Sequence, residues 1–236
     1  MKNWMLLLCI VLLAGLTAVG CANPAADAPE ATVEEPAATE TPADSAEANP
    51  EAGTLYAVTP DNGSTISWVG SKVTGSHDGG FEVFSGDLLV TGDSAEGSKV
   101  SVNIDATSLW SDNDGLTEHL KSPDFFEVET FSTASFESTA IAANEAGGYD
   151  VTGNLDLHGV TKQITFPAEI EVAGDQVAVA AEFAIKRFDW GIVYEGRADD
   201  LIRDDVLIKL NLVATNSAAG GAEEAAPEDE ATEEAA

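Results

Sequence analysis

Cysteine is nearly absent from this sequence of 236 residues. Of its two cysteines, Cys9 lies in an apolar run near the start, and Cys21 follows a stretch of small residues. The remainder of the chain has no cysteine, which excludes a disulfide framework and a cysteine-based zinc site there. We therefore expect the body of the protein to be held together by its core alone.

Basic residues are also scarce, with 10 Lys+Arg against 42 Asp+Glu and a formal net charge of -32. Nucleic-acid binding requires a basic face that follows the phosphates, so that function is excluded. The same imbalance argues against electrostatic docking onto anionic lipid. Two segments, residues 22–53 and 216–236, contain many acids and no base.

Motifs for catalysis are missing as well. The sequence has no GxSxG elbow and no phosphate-binding glycine loop. Its three histidines, His77, His119 and His158, are far apart and lack zinc-site spacing. Pairing of His119 with His158 at a metal is the weaker interpretation, and a hairpin end is favoured for His158. We predict no enzyme, no cofactor and no metal.

The first 20 residues have the layout of a secretory signal peptide. Lys2 precedes an apolar run from Trp4 to Leu16 that is too short to span a bilayer. The segment AVGC that ends at Cys21 resembles the lipobox of bacterial lipoproteins, although Ala18 stands where Leu is usual. We predict acylation of Cys21, with an ordinary signal peptide as the alternative. The protein is then exported to the cell envelope and anchored to a membrane, on its periplasmic or outer-surface face.

The two acidic segments have little to bury. Residues 21–53 are rich in Ala, Pro, Thr and Glu, and residues 216–236 are rich in Ala and Glu. Such a composition does not offset the entropy of ordering the chain, and its like charges repel one another. We therefore predict a lipidated N-terminus with a disordered acidic tether over 21–53, and a disordered acidic tail over 216–236.

Between these segments, residues 54–215 show apolar and polar residues in alternation. In the run at 160–172 the apolar set is Val160, Ile164, Phe166, Ala168, Ile170 and Val172. This period of two indicates antiparallel strands with one buried face, and the turn signals DNG (61–63), DGG (78–80) and AGD (173–175) separate the runs. We predict one all-β domain, either a closed antiparallel barrel of about eight strands or a sandwich.

The stretch EHLKSPDFF, residues 118–126, breaks this alternation. Ser122-Pro123-Asp124 is typical of a helix start, so we predict a short helix or turn that lays Phe125 and Phe126 over one end of the barrel. His119 and Asp124 are expected to hold this cap in place. Farther along, Arg187 and Asp189 are predicted to share one face of a strand, where a cross-strand ion pair is favoured over ligand contact.

Five segments of the body occur in an order that is found in one bacterial family. They are GGFEVFSGDLLV, VSVNIDATSLWSDN, HLKSPDFFEVETFSTASFEST, YDVTGNLDLHGVTKQITFP and FAIKRFDWGI. Together they resemble the YceI-like family of exported proteins, over about residues 54–215. The resemblance implies an extended, lipocalin-like antiparallel β-barrel that binds a polyisoprenoid lipid or an isoprenoid quinone.

The resemblance also implies a function and a site. We expect a membrane-tethered binding protein that holds the lipid in a barrel cavity; the alternative is a ligand-free stress-protective or interaction protein of the cell envelope. A homodimer is compatible with either. The family's usual Arg-Asp pair before HLKS is replaced by residues 116–118, Leu-Thr-Glu, which favours a neutral or weakly polar ligand. The expected ligand contacts are Leu155, Leu157, Ile164, Phe166, Phe183, Ile185, Ile208, Leu210, Phe125 and Phe126.

Overall fold

The computed structural model describes residues 23–36, 53–92 and 94–217. The predicted signal peptide, Cys21 and all but the first two residues of the predicted acidic tail lie outside these ranges. The described part has one α-helix, α1 (Asp114–Lys121), and is otherwise built from strands. The strands are β1 (Thr32–Glu34), β2 (Thr54–Val58), β3 (Thr65–Lys72), β4 (Gly75–Phe81), β5 (Phe84–Val90), β6 (Lys99–Asp105), β7 (Leu109–Ser111), β8 (Thr133–Ala143), β9 (Tyr149–Leu157), β10 (Val160–Ala173), β11 (Gln176–Lys186), β12 (Gly196–Arg197) and β13 (Asp200–Asn216).

These strands form a closed antiparallel barrel with eight positions around its wall. Three positions are each filled by two consecutive strands, namely β2 with β3, β4 with β5, and β6 with β7. The other five are β8, β9, β10, β11 and β13, and β13 pairs with both β2 and β3 to close the ring. The predicted fold class, an all-β lipocalin-like barrel with a short helical cap, is confirmed.

The alternation of apolar and polar residues explains why the barrel has an apolar interior. Inward residues of β10 and β11 form the middle of the core, where the rings of Phe166 and Phe183 stack with centroids 4.2 Å apart. A second cluster around Tyr56, Leu88 and Leu212 fills the end near the β10–β11 turn. Each large side chain buried here contributes about 1.5–3 kcal/mol of hydrophobic stabilisation. The opposite end, which α1 covers, contains open space.

The predicted N-terminal tether is wrong for residues 23–36. β1 pairs with β10 through Val33 and Ile164, and Ala31 donates its backbone N–H to the carbonyl of Ala184 on β11 (2.9 Å). Direct pairing of β10 with β11 stops at Glu169, so residues 29–34 occupy the opening between the two strands. Backbone hydrogen bonds do not require an apolar sequence, which is why composition misses this strand.

The N-terminal segment also contributes to the core. Ala31 is buried (3% exposed) and, with the partly buried Val33, belongs to the same cluster as Phe166 and Phe183. Outside the barrel, Lys186 pairs with Glu30, and Lys162 pairs with Glu35. We call residues 23–36 the N-terminal strap.

One predicted turn is also wrong. DGG at 78–80 lies within β4, and the hairpin from β3 to β4 turns at residues 73–74 instead. The glycines are needed for close packing, because a Cβ on Gly79 would come within 2.1 Å of the ring of Trp68. The AGD turn at 173–175 is confirmed, since it joins β10 to β11. β13 continues to Asn216, a residue that the sequence predicts to lie in the disordered tail.

Candidate ligand-binding site

A cavity of about 690 Å³ lies at the capped end of the barrel. This volume falls in the range of small-molecule sites, about 300–1,000 Å³. Its walls come from β3, β4, β13 and the ends of β9 and β11. The apolar side chains that line its deeper part are Trp68, Phe81, Leu157, Ile185, Val206 and Ile208.

The cap consists of α1 and the turn that follows it. The side chain of Asn113 accepts a hydrogen bond from the backbone N–H of Leu116 (2.9 Å) and so caps the N-terminus of α1. Leu120 and Phe125 are buried beneath the cap, and the ring of Phe126 meets that of Phe81 edge-on at 6.2 Å. The cap thus presents an apolar face to the cavity, as the sequence predicts.

The helix of this cap begins and ends at other residues than the sequence predicts. Ser122 ends α1 instead of starting a helix, and its hydroxyl donates to the carbonyl of His119 (2.7 Å). Asn113 supplies the start signal nine residues earlier. The expected contact between His119 and Asp124 is present at 2.9 Å, and it holds the turn against the helix. The His119 ring also lies 5.0 Å from that of Tyr194, across the mouth.

Arg187 organises the loop on the other side of the mouth. Its buried guanidinium donates hydrogen bonds to the backbone carbonyls of Ile192 (2.5 Å), Tyr194 (2.7 Å) and Arg203 (3.0 Å), with a longer one to Ile202 (3.4 Å). Burial lowers the pKa of Arg187, yet a guanidinium keeps its proton in proteins. One side chain thereby joins the loop at 191–197 to the start of β13.

Arg187 and Asp189 do not form the predicted strand pair. They lie in a 3-10 turn, Arg187–Trp190, that turns the chain away from β11. The turn packs into the barrel through Trp190, which is fully buried and whose Nε1 donates to the carbonyl of Leu155 (3.3 Å). Asp189 is exposed, and none of the described ion pairs joins it to Arg187.

Charged and polar groups gather at the mouth. Lys72 and Asp200 form an ion pair at 2.5 Å, which lowers the pKa of Asp200. Arg197 and Arg203 also line this part of the cavity. Within the described ranges, Nε of Arg203 and Nε1 of Trp68 are buried and have no hydrogen-bond partner. A native structure leaves few such groups unpaired, so they indicate a site for a ligand or for water.

The structure separates the ten predicted ligand contacts into two groups. Five line the cavity: Leu157, Ile185, Ile208, Phe125 and Phe126. The other five lie in the filled core below it and do not line the cavity: Leu155, Ile164, Phe166, Phe183 and Leu210. Alternation identified the inward face correctly. It could not show that stacked aromatic rings occupy the middle of the barrel.

Several lining residues were missed. Trp68 and Phe81 lie on strands that the sequence predicts. The alternation in these strands did not identify the two residues as part of a cavity. Tyr194, Arg197 and Arg203 come from the loop after residue 190 and the β12–β13 hairpin. No sequence motif marks this region, and its folding over the mouth depends on the buried Arg187.

Each histidine makes its own polar contact: His77 with Asp112, His119 with Asp124, and His158 with a backbone carbonyl. His158 lies at the β9–β10 hairpin, as predicted, with a φ of 53° and Nδ1 3.1 Å from the carbonyl oxygen of Trp190. In the described ranges, no three His, Cys, Asp or Glu residues are grouped as metal ligands. No helix found there is long and apolar enough to cross a membrane.

The fold and the cavity together define a class: a small antiparallel barrel with an apolar ligand cavity at one end. The chain belongs to the YceI-like family, since residues 56–214 match the YceI-like domain. The family predicted from the sequence is thus confirmed.

Curated relatives carry the family name UPF0312. One from Vibrio parahaemolyticus is 43% identical over 97 residues, which cover 41% of this chain and 51% of the relative. One from Pseudomonas putida is 32% identical over 137 residues, covering 56% of this chain and 71% of the relative. The chain thus spans about half the length of the Vibrio relative that it matches.

Two solved structures have the same fold. BcnA of Burkholderia cenocepacia is 28% identical with a TM-score of 0.59, over 65% of this chain and 97% of BcnA. A domain from Saccharophagus degradans, described as polyisoprenoid-binding, is 21% identical with a TM-score of 0.54. That match covers 69% of this chain and 99% of the domain, and at this identity it shows the fold alone.

Proposed function

We propose that this protein is an exported, membrane-anchored binding protein that holds the apolar chain of an isoprenoid lipid or isoprenoid quinone. The observation that carries the proposal is the cavity of about 690 Å³, with its apolar depth and its cap. Each methylene-sized group buried there contributes about 0.8 kcal/mol, so several of them supply micromolar affinity. The polyisoprenoid-binding description of the Saccharophagus domain agrees with this ligand class.

The alternative is a ligand-free stress-protective or interaction protein. A protein of that kind has no need of an open apolar cavity, and core packing normally leaves few voids. Burying the side chains Phe81, Leu157 and Ile208 around empty space forfeits contacts that a closed core would make. The cavity therefore favours the binding function.

Replacing Phe126 by Ala should reduce the amount of lipid retained by the purified protein several-fold, because the ring closes the cavity beside Phe81. Native mass spectrometry and solvent extraction measure the co-purifying chain, and circular dichroism checks the fold. Val83→Ala is the control, since Val83 is 54% exposed and does not line the cavity. Wild-type protein that carries no apolar chain, and takes none up when offered one, would contradict the proposed function.

The membrane anchor is the second part of the proposal. Asn23, two positions after Cys21, donates a hydrogen bond to the carboxylate of Asp205 (3.3 Å). The N-terminal strap therefore contacts β13 only two positions after the residue that we propose is acylated.

Replacing Cys21 by Ala should move the protein from the membrane fraction to the soluble fraction, because acyl chains supply the anchoring energy. Cell fractionation and immunoblotting measure the distribution. Cys9→Ala is the control, since Cys9 lies in the apolar run of the predicted signal peptide. Membrane retention of the Cys21 variant would show that this residue is not the anchor.

A further inference from the structure

Positive charge is concentrated at the cavity. Four of the protein's 10 Lys+Arg residues line it, in a chain with a formal net charge of -32. The four are Lys72, Arg187, Arg197 and Arg203. A single acid, Asp200, lines the same cavity. Such local reversal of the overall charge focuses an attractive potential for anions.

Two of these cations already have partners. Lys72 is paired with Asp200 at 2.5 Å. Arg187 is buried, and its hydrogen bonds go to backbone carbonyls. Because these contacts already hold both groups in place, we assign them to the structure of the mouth.

Arg203 and Arg197 differ in this respect. Arg203 has a buried Nε without a hydrogen-bond partner in the described ranges. Leaving a donor of a charged group buried and unpaired costs more than leaving a neutral one. Arg197 is exposed, and within those ranges its side chain makes no hydrogen bond or ion pair in the structure. The two guanidiniums thus have donors available at the mouth.

The position of these arginines distinguishes a charged mouth from the apolar, deeper part of the cavity. Arg197 pairs in register with Asp200 in the β12–β13 hairpin, and Arg203 lies within the bulge of β13 between Ile202 and Val206. Beyond the bulge, β13 lines the deeper cavity with Val206 and Ile208. A ligand that satisfies both parts has an apolar chain inside and an anionic group at the mouth.

We infer that the ligand is an amphiphile with a phosphate head group, an isoprenoid phosphate, held by Arg203 and Arg197 at the mouth. The inference rests on the proposed function, because it names the head group of the lipid that occupies the same cavity. Arginine binds phosphate through two parallel N–H donors, and such charge-assisted bonds are about twice as strong as neutral ones. This inference differs from the neutral or weakly polar ligand that residues 116–118 favour. The cations that would bind the phosphate, Arg197 and Arg203, come from another part of the chain.

The test compares three probes on the purified protein: geranylgeranyl phosphate, geranylgeraniol and inorganic phosphate. Wild-type protein should bind the isoprenoid phosphate at least about tenfold more tightly than the alcohol, and inorganic phosphate should bind weakly. Displacement of a fluorescent lipid measures the first two affinities, and calorimetry measures the third.

Variants then assign the preference to the arginines. Arg197→Gln combined with Arg203→Gln should reduce affinity for the phosphate at least tenfold more than affinity for the alcohol. Lys209→Gln is the control, because Lys209 lies on β13 but does not line the cavity, and it should change neither affinity. Circular dichroism confirms that each variant is folded.

The outcomes separate the two proposals. Equal affinity of wild-type protein for the phosphate and the alcohol overturns the phosphate head group but leaves lipid binding intact. Inorganic phosphate that binds as tightly as the isoprenoid phosphate also overturns the inference, because the apolar chain then contributes nothing. A preference for the phosphate that survives in the double variant shows that these arginines do not create it. Failure of both isoprenoids to bind contradicts the proposed function itself.

Discussion

The free energy of unfolding should fall by about 3–5 kcal/mol when Arg187 is replaced by Met, because removal of a buried, fully hydrogen-bonded group leaves its partners unpaired. Met keeps much of the volume of the side chain but donates to none of the carbonyls of Ile192, Tyr194, Ile202 and Arg203. The loop at 191–197 would then have to satisfy these groups with water. Urea unfolding followed by tryptophan fluorescence measures the change.

The control for this prediction is Lys209→Met. Lys209 has a side chain 45% exposed on β13, and its contact with Glu182 is long at 3.9 Å. Its loss should therefore cost less than about 0.5 kcal/mol. A decrease of less than about 1 kcal/mol for Arg187→Met would mean that other contacts hold the loop. Limited proteolysis within residues 191–203 would then stay as slow as in the wild type.

Ala31→Asp should destabilise the barrel by about 3 kcal/mol or more, because it places a lone carboxylate in an apolar cluster. Ala31 is 3% exposed beside Phe166, Phe183 and Trp190. The variant tests whether the N-terminal strap is part of the barrel wall in solution. Thermal and urea unfolding of the purified protein measure the loss.

Thr32→Asp is the matched control, since Thr32 follows Ala31 and is exposed on the opposite face of the strap. Its introduced charge is the same, and the backbone pairing with β10 is unaffected, so stability should change by less than about 0.5 kcal/mol. If both variants are as stable as the wild type, the strap does not lie between β10 and β11. Equal destabilisation of both would indicate a general effect of added negative charge.

Much of the barrel was predictable because apolar residues recur at every second position in its strands. The run at 160–172 alternates almost without exception and forms β10. The strap has no such signal, since Ala31 and Val33 are its only inward apolar residues and acids and prolines surround them. Its position is set by the unpaired backbone of β10 and β11, a feature of the assembled barrel.

The site was less predictable than the fold. Leu157 and Phe166 follow the same alternation, yet the first lines the cavity and the second packs in the core. Which of them meets open space depends on how large rings from different strands fit together. Arg187 presents the same difficulty, because its partners are backbone carbonyls, and these carry no signature in the sequence.

The N-terminal strap also sets an order in which the chain can assemble. Any process that delivers the chain from its N-terminus produces residues 29–34 long before Ile164 and Ala184, their partners in the wall. Pairing across such a distance is slow, and until it occurs the edges of β10 and β11 stay open to other chains. The first strand to emerge is therefore among the last to be seated.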